Sequence, residues 1–89
     1  MLSTRDITRI KEIARRYGVG RVLLFGSSVH DENDSRDIDL AVEGLAAPRF
    51  FAFYGELIFS LSKPVDFVDL SQNTRFTEMI RKEGRLLYG

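Results

Sequence analysis

Three carboxylates and one turn of small residues carry the chemistry legible in this chain. In residues 37–42, Asp37 and Asp39 alternate with Ile38, Leu40 and Val42. A strand there places both acids on one face and the aliphatic side chains on the other. Asp66 interrupts a second apolar run, residues 65–70. Carboxylates side by side on a strand repel each other and are costly on a dry surface, so something positive should stand over them. If the two strands are neighbours, Asp37, Asp39 and Asp66 converge, and such hard oxygen donors suit Mg²⁺ or Mn²⁺. Gly26-Ser27-Ser28 follows the apolar run 22–25. Small residues after a buried strand let the backbone turn sharply and leave N–H groups free for phosphate oxygens. An ion bridged to phosphates fits nucleotidyl transfer. An acceptor oxygen attacks the α-phosphorus of a nucleoside triphosphate, pyrophosphate leaves, and two ions steady the attacking and leaving oxygens. Asp66, if it lies beside the attacking oxygen, can help take its proton.

Each feature also has a plainer explanation. Asp37 and Asp39 could lie on a solvated edge strand, and Asp66 could form an ion pair with Arg21 or Arg36. Gly26-Ser27-Ser28 could be a turn without a ligand. His30 suits a surface or capping position. Asp31, Glu32 and Asp34 suit a wet loop, and Asp69 a strand end that caps the next turn.

The elements that must position these groups follow from periodicity. Ile7, Ile10, Ile13, Ala14 and Tyr17 predict a helix over 4–17, with Ser3 and Asp6 resembling a capping box and Gly18 as the stop. Residues 22–25 predict a strand buried on both faces, and 30–36 a polar loop. After the strand at 37–42, Pro48 opens a helix whose inner stripe is Phe50, Phe53, Tyr54, Leu57, Ile58 and Leu61. Phe51, Gly55 and Phe59 form a second stripe, to be met either by a partner protein or another copy, or by the C-terminal segment. A strand at 65–70 follows. A last helix capped by Asn73 or Thr74 should turn Phe76, Met79 and Ile80 inward, Gly84 should stop it, and 85–88 should form a closing edge strand. The pattern alternates helices with strands, and the first helix is expected to cover a sheet.

Composition narrows the rest. At 89 residues the chain supports one domain, residues 1–89, with a modest core. Thirteen basic residues balance thirteen acidic ones, which disfavours nucleic-acid binding through bulk charge. There is no cysteine and a single histidine, His30, which excludes disulfides, thiol catalysis and a multi-histidine site within one chain. No apolar run approaches the roughly 18 residues of a membrane span, and the N-terminus lacks a signal peptide's apolar middle. A cytoplasmic location is expected.

Taken in order, Gly26-Ser27, a polar loop, Asp37-Ile38-Asp39-Leu40 and the later Val65-Asp66-Phe67-Val68-Asp69-Leu70 resemble the signature of the DNA polymerase beta-like nucleotidyltransferases. The small size resembles the minimal nucleotidyltransferase (MNT) group, and the resemblance covers nearly the whole chain. It implies an α/β (α+β) fold, a small mixed sheet backed by helices in the polymerase beta-like arrangement, with Gly26, Ser27 and neighbouring Ser28 toward phosphate and Asp37, Asp39 and Asp66 as metal-binding and catalytic residues. It further implies Mg²⁺ or Mn²⁺, ATP or another nucleoside triphosphate, and a helical HEPN partner in a toxin–antitoxin pair, with AMP passed to a tyrosine of that partner. The departures lie in the loop. His30 stands where Arg is common, Asp31 where Gly is common, and Arg36 where Ser is common. The alternative is a protein of the same fold, weak or inactive in catalysis, that binds a partner through the Phe51/Phe59 face.

Overall fold

The computed structural model describes residues 2–26 and 36–89. Expectations that fall on Ser27, Ser28, His30, Asp31, Glu32 and Asp34 lie outside the described residues.

Helix α1, Thr4–Tyr17, occupies the predicted span. Its Ile10, Ile13 and Ala14 are buried on one face, and Gly18 ends it at φ 69°, sending its N–H back to the carbonyls of Ala14 and Arg15. The N-terminus departs from the expected capping box. Ser3 Oγ accepts the Asp6 N–H at 3.1 Å, as a cap should. The Asp6 carboxylate, only 2% exposed, does not complete the box. It accepts the Ser62 N–H at 3.2 Å and the Ser62 hydroxyl at 2.5 Å. A buried carboxylate is held by the donors that best satisfy it, and here they tie the start of α1 to a turn 56 residues away.

Strands β1 (Arg21–Leu24), β2 (Ile38–Glu43), β3 (Val65–Asp69) and β4 (Arg85–Tyr88) form one sheet in the order β3-β2-β1-β4. β1 runs antiparallel to both β2 and β4, whereas β2 and β3 are parallel. A parallel pair needs a long crossover. It is supplied by a 3-10 helix, Ala47–Arg49, running into helix α2, Phe50–Ser60. Pro48 sits in the first turn of that 3-10 segment, where its missing N–H costs nothing.

Helices α1 and α2 cover one face of the sheet. Ile10, Ile13, Phe53 and Leu57 pack there on Val22, Leu24, Ile38, Leu40, Val42 and Val65. Burying a side chain such as Phe53 or Leu57 contributes about 1.5–3 kcal/mol each. Phe67 of β3 lies among Phe50, Phe53 and Tyr54, with ring centroids 4.8 to 5.6 Å away. The Tyr54 hydroxyl donates to the Val65 carbonyl at 3.0 Å, which fastens α2 to β3.

The last helix, α3 (Arg75–Glu83), lies on the other face over Leu23, Ala41 and Leu70. Thr74 and Thr77 form its capping box. This corrects one expectation. Ile80 is buried, but Phe76 and Met79 are 49% and 48% exposed. The patch beneath α3 is narrow, and the Thr77 hydroxyl is drawn down to the Gln72 carbonyl at 2.7 Å. That bond turns Thr77 and Ile80 inward and leaves Phe76 and Met79 flanking the contact. The C-terminal segment therefore lies away from the second stripe of α2, and Phe51 and Phe59 are 85% and 93% exposed.

At the surface, Glu56 of α2 accepts from Arg16 at 2.5 Å. A hydrogen bond from Tyr17, reinforced by Arg16, holds its carboxyl below the usual range. The same bond is the main cause that raises Tyr17. A carboxyl whose pKa is depressed on folding contributes stability that is present above its unfolded value of about 4.3 and lost as pH falls through the lower folded value. Glu56→Gln should thus be less stable than the parent chain at about pH 7, with the gap closing by about pH 3. Urea denaturation of both proteins at the two pH values checks this.

Candidate active site

The site is built on the parallel β2–β3 pair. The register sets Ile38 beside Val65, Asp39 beside Asp66 and Leu40 beside Phe67. Register partners on adjacent strands share a face, so Asp39 and Asp66 stand side by side. Their neighbours two residues along, Ala41 and Val68, belong to the small cluster under α3. The intervening Leu40, Val65 and Phe67 belong to the larger core under α1 and α2. Among the described residues helix cover gives out toward the two acids, with Asp39 half-buried and Asp66 exposed. Asp37 is exposed in the bend immediately before β2. The entrance to β2 is pinned by the Ile38 N–H, which donates to the Pro64 carbonyl at 2.8 Å.

The proposed ion pairs of Asp66 do not form among the described residues. Arg21 turns to Glu43 at 3.8 Å, at the opposite end of the strands from the acids. Arg81 holds Glu43 from the other side at 3.4 Å and also donates to the Leu70 carbonyl. Asp69 is a strand-end cap, accepting the Ser71 N–H and hydroxyl, both at 3.0 Å. Asp66 is thereby distinguished from the other acid of its strand.

Gly26 closes on the pair from β1. The Phe25 N–H donates to the Asp39 carbonyl at 3.0 Å, carrying the β1–β2 pairing one step past Leu24. The backbone then turns at Gly26 with φ 66°. A Cβ there would lie 2.7 Å from Asp39 Oδ2, so only glycine lets the turn approach the carboxylate this closely. Ser27 and Ser28, the other two residues assigned to phosphate, lie outside the described residues.

Two unit charges about 5 Å apart repel by about 3 kcal/mol at an effective dielectric of about 20. A cation shared by neighbouring carboxylates relieves that cost. The donors are all hard oxygens, and Gly26 forms a cradle that Asp39 Oδ2 fills, so the chemistry of the acidic set fits Mg²⁺ or Mn²⁺. Among the described residues no group of three or more acidic, histidine or cysteine side chains is already drawn together as a metal cage.

One feature was not anticipated from the sequence. A cavity of about 270 Å³ opens beside Gly26, lined by Phe25, Phe76, Met79, Ile80, Glu83 and Gly84. Its signal was present in the spacing of Phe76, Met79 and Glu83 along one side of a helix. The assignment of Phe76 and Met79 to the core concealed it.

A mixed sheet with acids paired in register across its parallel strands, a glycine turn against one of them and two helices behind defines a nucleotidyltransferase-type domain. The chain belongs to the polymerase beta nucleotidyltransferase family, whose model matches residues 8–89. Solved structures with the same fold include a chain from a toxin–antitoxin with AMP-PNP. It is 27% identical with a TM-score of 0.75, over 93% of this chain and 73% of that one. A chain from the toxin–antitoxin MntA–HepT is 25% identical with a TM-score of 0.72, over 98% and 73% of the two chains. A third comes from a tri-AMPylated HEPN toxin of Shewanella oneidensis in complex with an MNT antitoxin. It is 26% identical with a TM-score of 0.70, over 94% and 70%. No curated protein sequence matches the chain significantly.

Gly26→Ala tests the cradle. A left-handed backbone costs a non-glycine residue about 1–2 kcal/mol, and the new methyl must also push Asp39 aside. The variant should unfold at lower urea concentration by about that margin, and calorimetric titration with Mg²⁺ and ATP should show weaker binding than the parent chain.

Proposed function

We propose that the protein is a metal-dependent nucleotidyltransferase that passes AMP from ATP to a tyrosine hydroxyl of a helical HEPN partner, serving as the antitoxin of the pair in the cytoplasm. The observation that carries this is the placement of Asp39 and Asp66 as register partners with Gly26 against Asp39. Family membership and the AMP-PNP and AMPylated-HEPN complexes among its structural relatives support it.

Asp37, Asp39 and Asp66 would hold Mg²⁺ or Mn²⁺, which when bound supplies positive charge against the phosphate oxygens. The turn at Gly26, with Ser27 and Ser28 beyond it, orients the phosphates through N–H and hydroxyl groups. Asp66 is the more exposed of the strand-locked pair and faces an incoming acceptor. It accepts the hydroxyl proton as the acceptor oxygen bonds to the α-phosphorus. The bond from that phosphorus to the β-phosphate bridging oxygen breaks, and pyrophosphate leaves with the electron pair. The protein's contribution is positioning and electrostatic support.

The experiment is transfer of label from the α-phosphate of ATP to the HEPN partner. Asp39→Asn and Asp66→Asn should each reduce the rate by about 100-fold or more, as loss of one preorganised electrostatic contact does. Equal labelling by the parent chain and both variants overturns the assignment.

A second reading, binding of the partner without efficient transfer, is favoured by a separate observation. Phe51 and Phe59 lie about two helical turns apart on α2 and are almost wholly exposed. Covering such rings drives association. The HEPN partner is the proposed occupant of this face, and a second copy of the chain the alternative. Phe59→Glu should weaken the HEPN complex by about 30-fold or more, the effect of losing one interface hot spot, as read by calorimetric titration. Asp39→Asn should leave it intact. Retained affinity in Phe59→Glu, or loss in Asp39→Asn with folding preserved, removes this face from the interface.

A further inference from the structure

The cavity beside Gly26 plays no part in the carboxylate chemistry, and its lining differs from the rest of the site. Its walls are aromatic and aliphatic. Phe25 and Phe76 meet edge to face with centroids 5.9 Å apart, and Met79 and Ile80 continue the surface. Phe76 and Met79 remain half exposed although they flank a recess, which leaves apolar surface in water that a flat ligand would cover. Among the described residues, Glu83 is the one charged residue of the lining.

The geometry points to this slot as the seat of the nucleobase, a purine stacked on the ring of Phe76, met edge-on by Phe25, with its amino edge toward Glu83. The inference rests on the nucleotide reading above. Four features argue for it. At about 270 Å³ the slot falls just below the range of about 300–1,000 Å³ that holds whole drug-sized ligands. It therefore suits a ring system, with sugar and phosphates left outside. Gly26 lines the slot and also abuts Asp39, so a molecule with its ring in the slot leaves toward the carboxylates. Glu83 sets the direction. A carboxylate accepts hydrogen bonds from a base amino group and repels phosphate, which places the base at the Glu83 end and the phosphates at Gly26. Phenyl faces and a thioether contribute contact to a planar π system without demanding one hydrogen-bond pattern.

Calorimetric titration in Mg²⁺ with ATP, UTP and inorganic tripolyphosphate tests the assignment. ATP should bind the parent chain more tightly than tripolyphosphate does. Phe76→Ala should weaken ATP by about 10-fold, the effect of removing one base-stacking ring, and leave tripolyphosphate unchanged. Phe76 lies outside the core, and circular dichroism reports whether folding is kept. Glu83→Gln, a milder change, should narrow the preference for ATP over UTP. Asp39→Asn should weaken ATP and tripolyphosphate alike. Unchanged ATP affinity in Phe76→Ala overturns the base slot while the nucleotide reading stands. So does a raised KM for the acceptor alone, which would give the slot to the incoming tyrosine. If the parent chain binds neither ATP nor tripolyphosphate, the nucleotide reading fails and the slot assignment fails with it.

Discussion

The parallel pairing of β2 with β3 is the constraint on which the rest of the molecule depends. Shifting the register by one residue would turn Asp66 into the core beside Leu40 and send Val65 or Phe67 to the solvent face. The register is therefore held from several directions. The Ile38 N–H reaches the Pro64 carbonyl at one end, and the Leu70 N–H reaches the Val42 carbonyl at the other. Tyr54 bonds the Val65 carbonyl, and Phe67 is enclosed by three aromatic rings of α2. The apolar core under α1 and α2 thus fixes the position of two acids that point away from it. Stability and site geometry are one property here, expressed on opposite faces of the same strands.

Much of this was legible in the residues. The alternation in 37–42 and 65–70 sorted Asp39 and Asp66 from their aliphatic neighbours, because a strand's period of two admits only one such sorting. The apolar spacing in α1 located that helix and its Gly18 stop. What period alone does not carry is which face is wide and which is narrow. Phe76 and Met79 have the hydrophobicity of core residues, yet the patch beneath α3 admits only the stripe of Thr77 and Ile80. Asp6 was read as a local cap, but its carboxylate is committed to Ser62, a contact that no local pattern announces. Whether strands 37–42 and 65–70 are neighbours is likewise a matter of topology. The order β3-β2-β1-β4 answered it, and the family signature had already implied it. The departures at His30 and Asp31 lie outside the described residues.

The glycine at position 26 shows how local conformation and chemistry are joined. Its positive φ is required by the sharp exit from β1, and its missing side chain is required by Asp39 Oδ2. Either need alone would favour glycine. Together they make the turn and the carboxylate a single unit, and they set the distance between the strand acids and the mouth of the Phe25–Phe76 recess.

The crossover that makes β2 and β3 parallel also decides from which side the protein is approached. Helix α2 lies behind the sheet, so Phe51 and Phe59 look away from the strand acids, across a particle only 19 Å through its thinnest dimension. A protein seated on those rings sits with its back to the reacting groups. On the transfer reading proposed above, the hydroxyl it offers would have to travel on a limb long enough to reach round the sheet's edge, or belong to a different subunit of the assembly. Grip and chemistry on opposite sides would then make the reach of the recipient, rather than the tightness of its hold, the measure of which hydroxyls are within range.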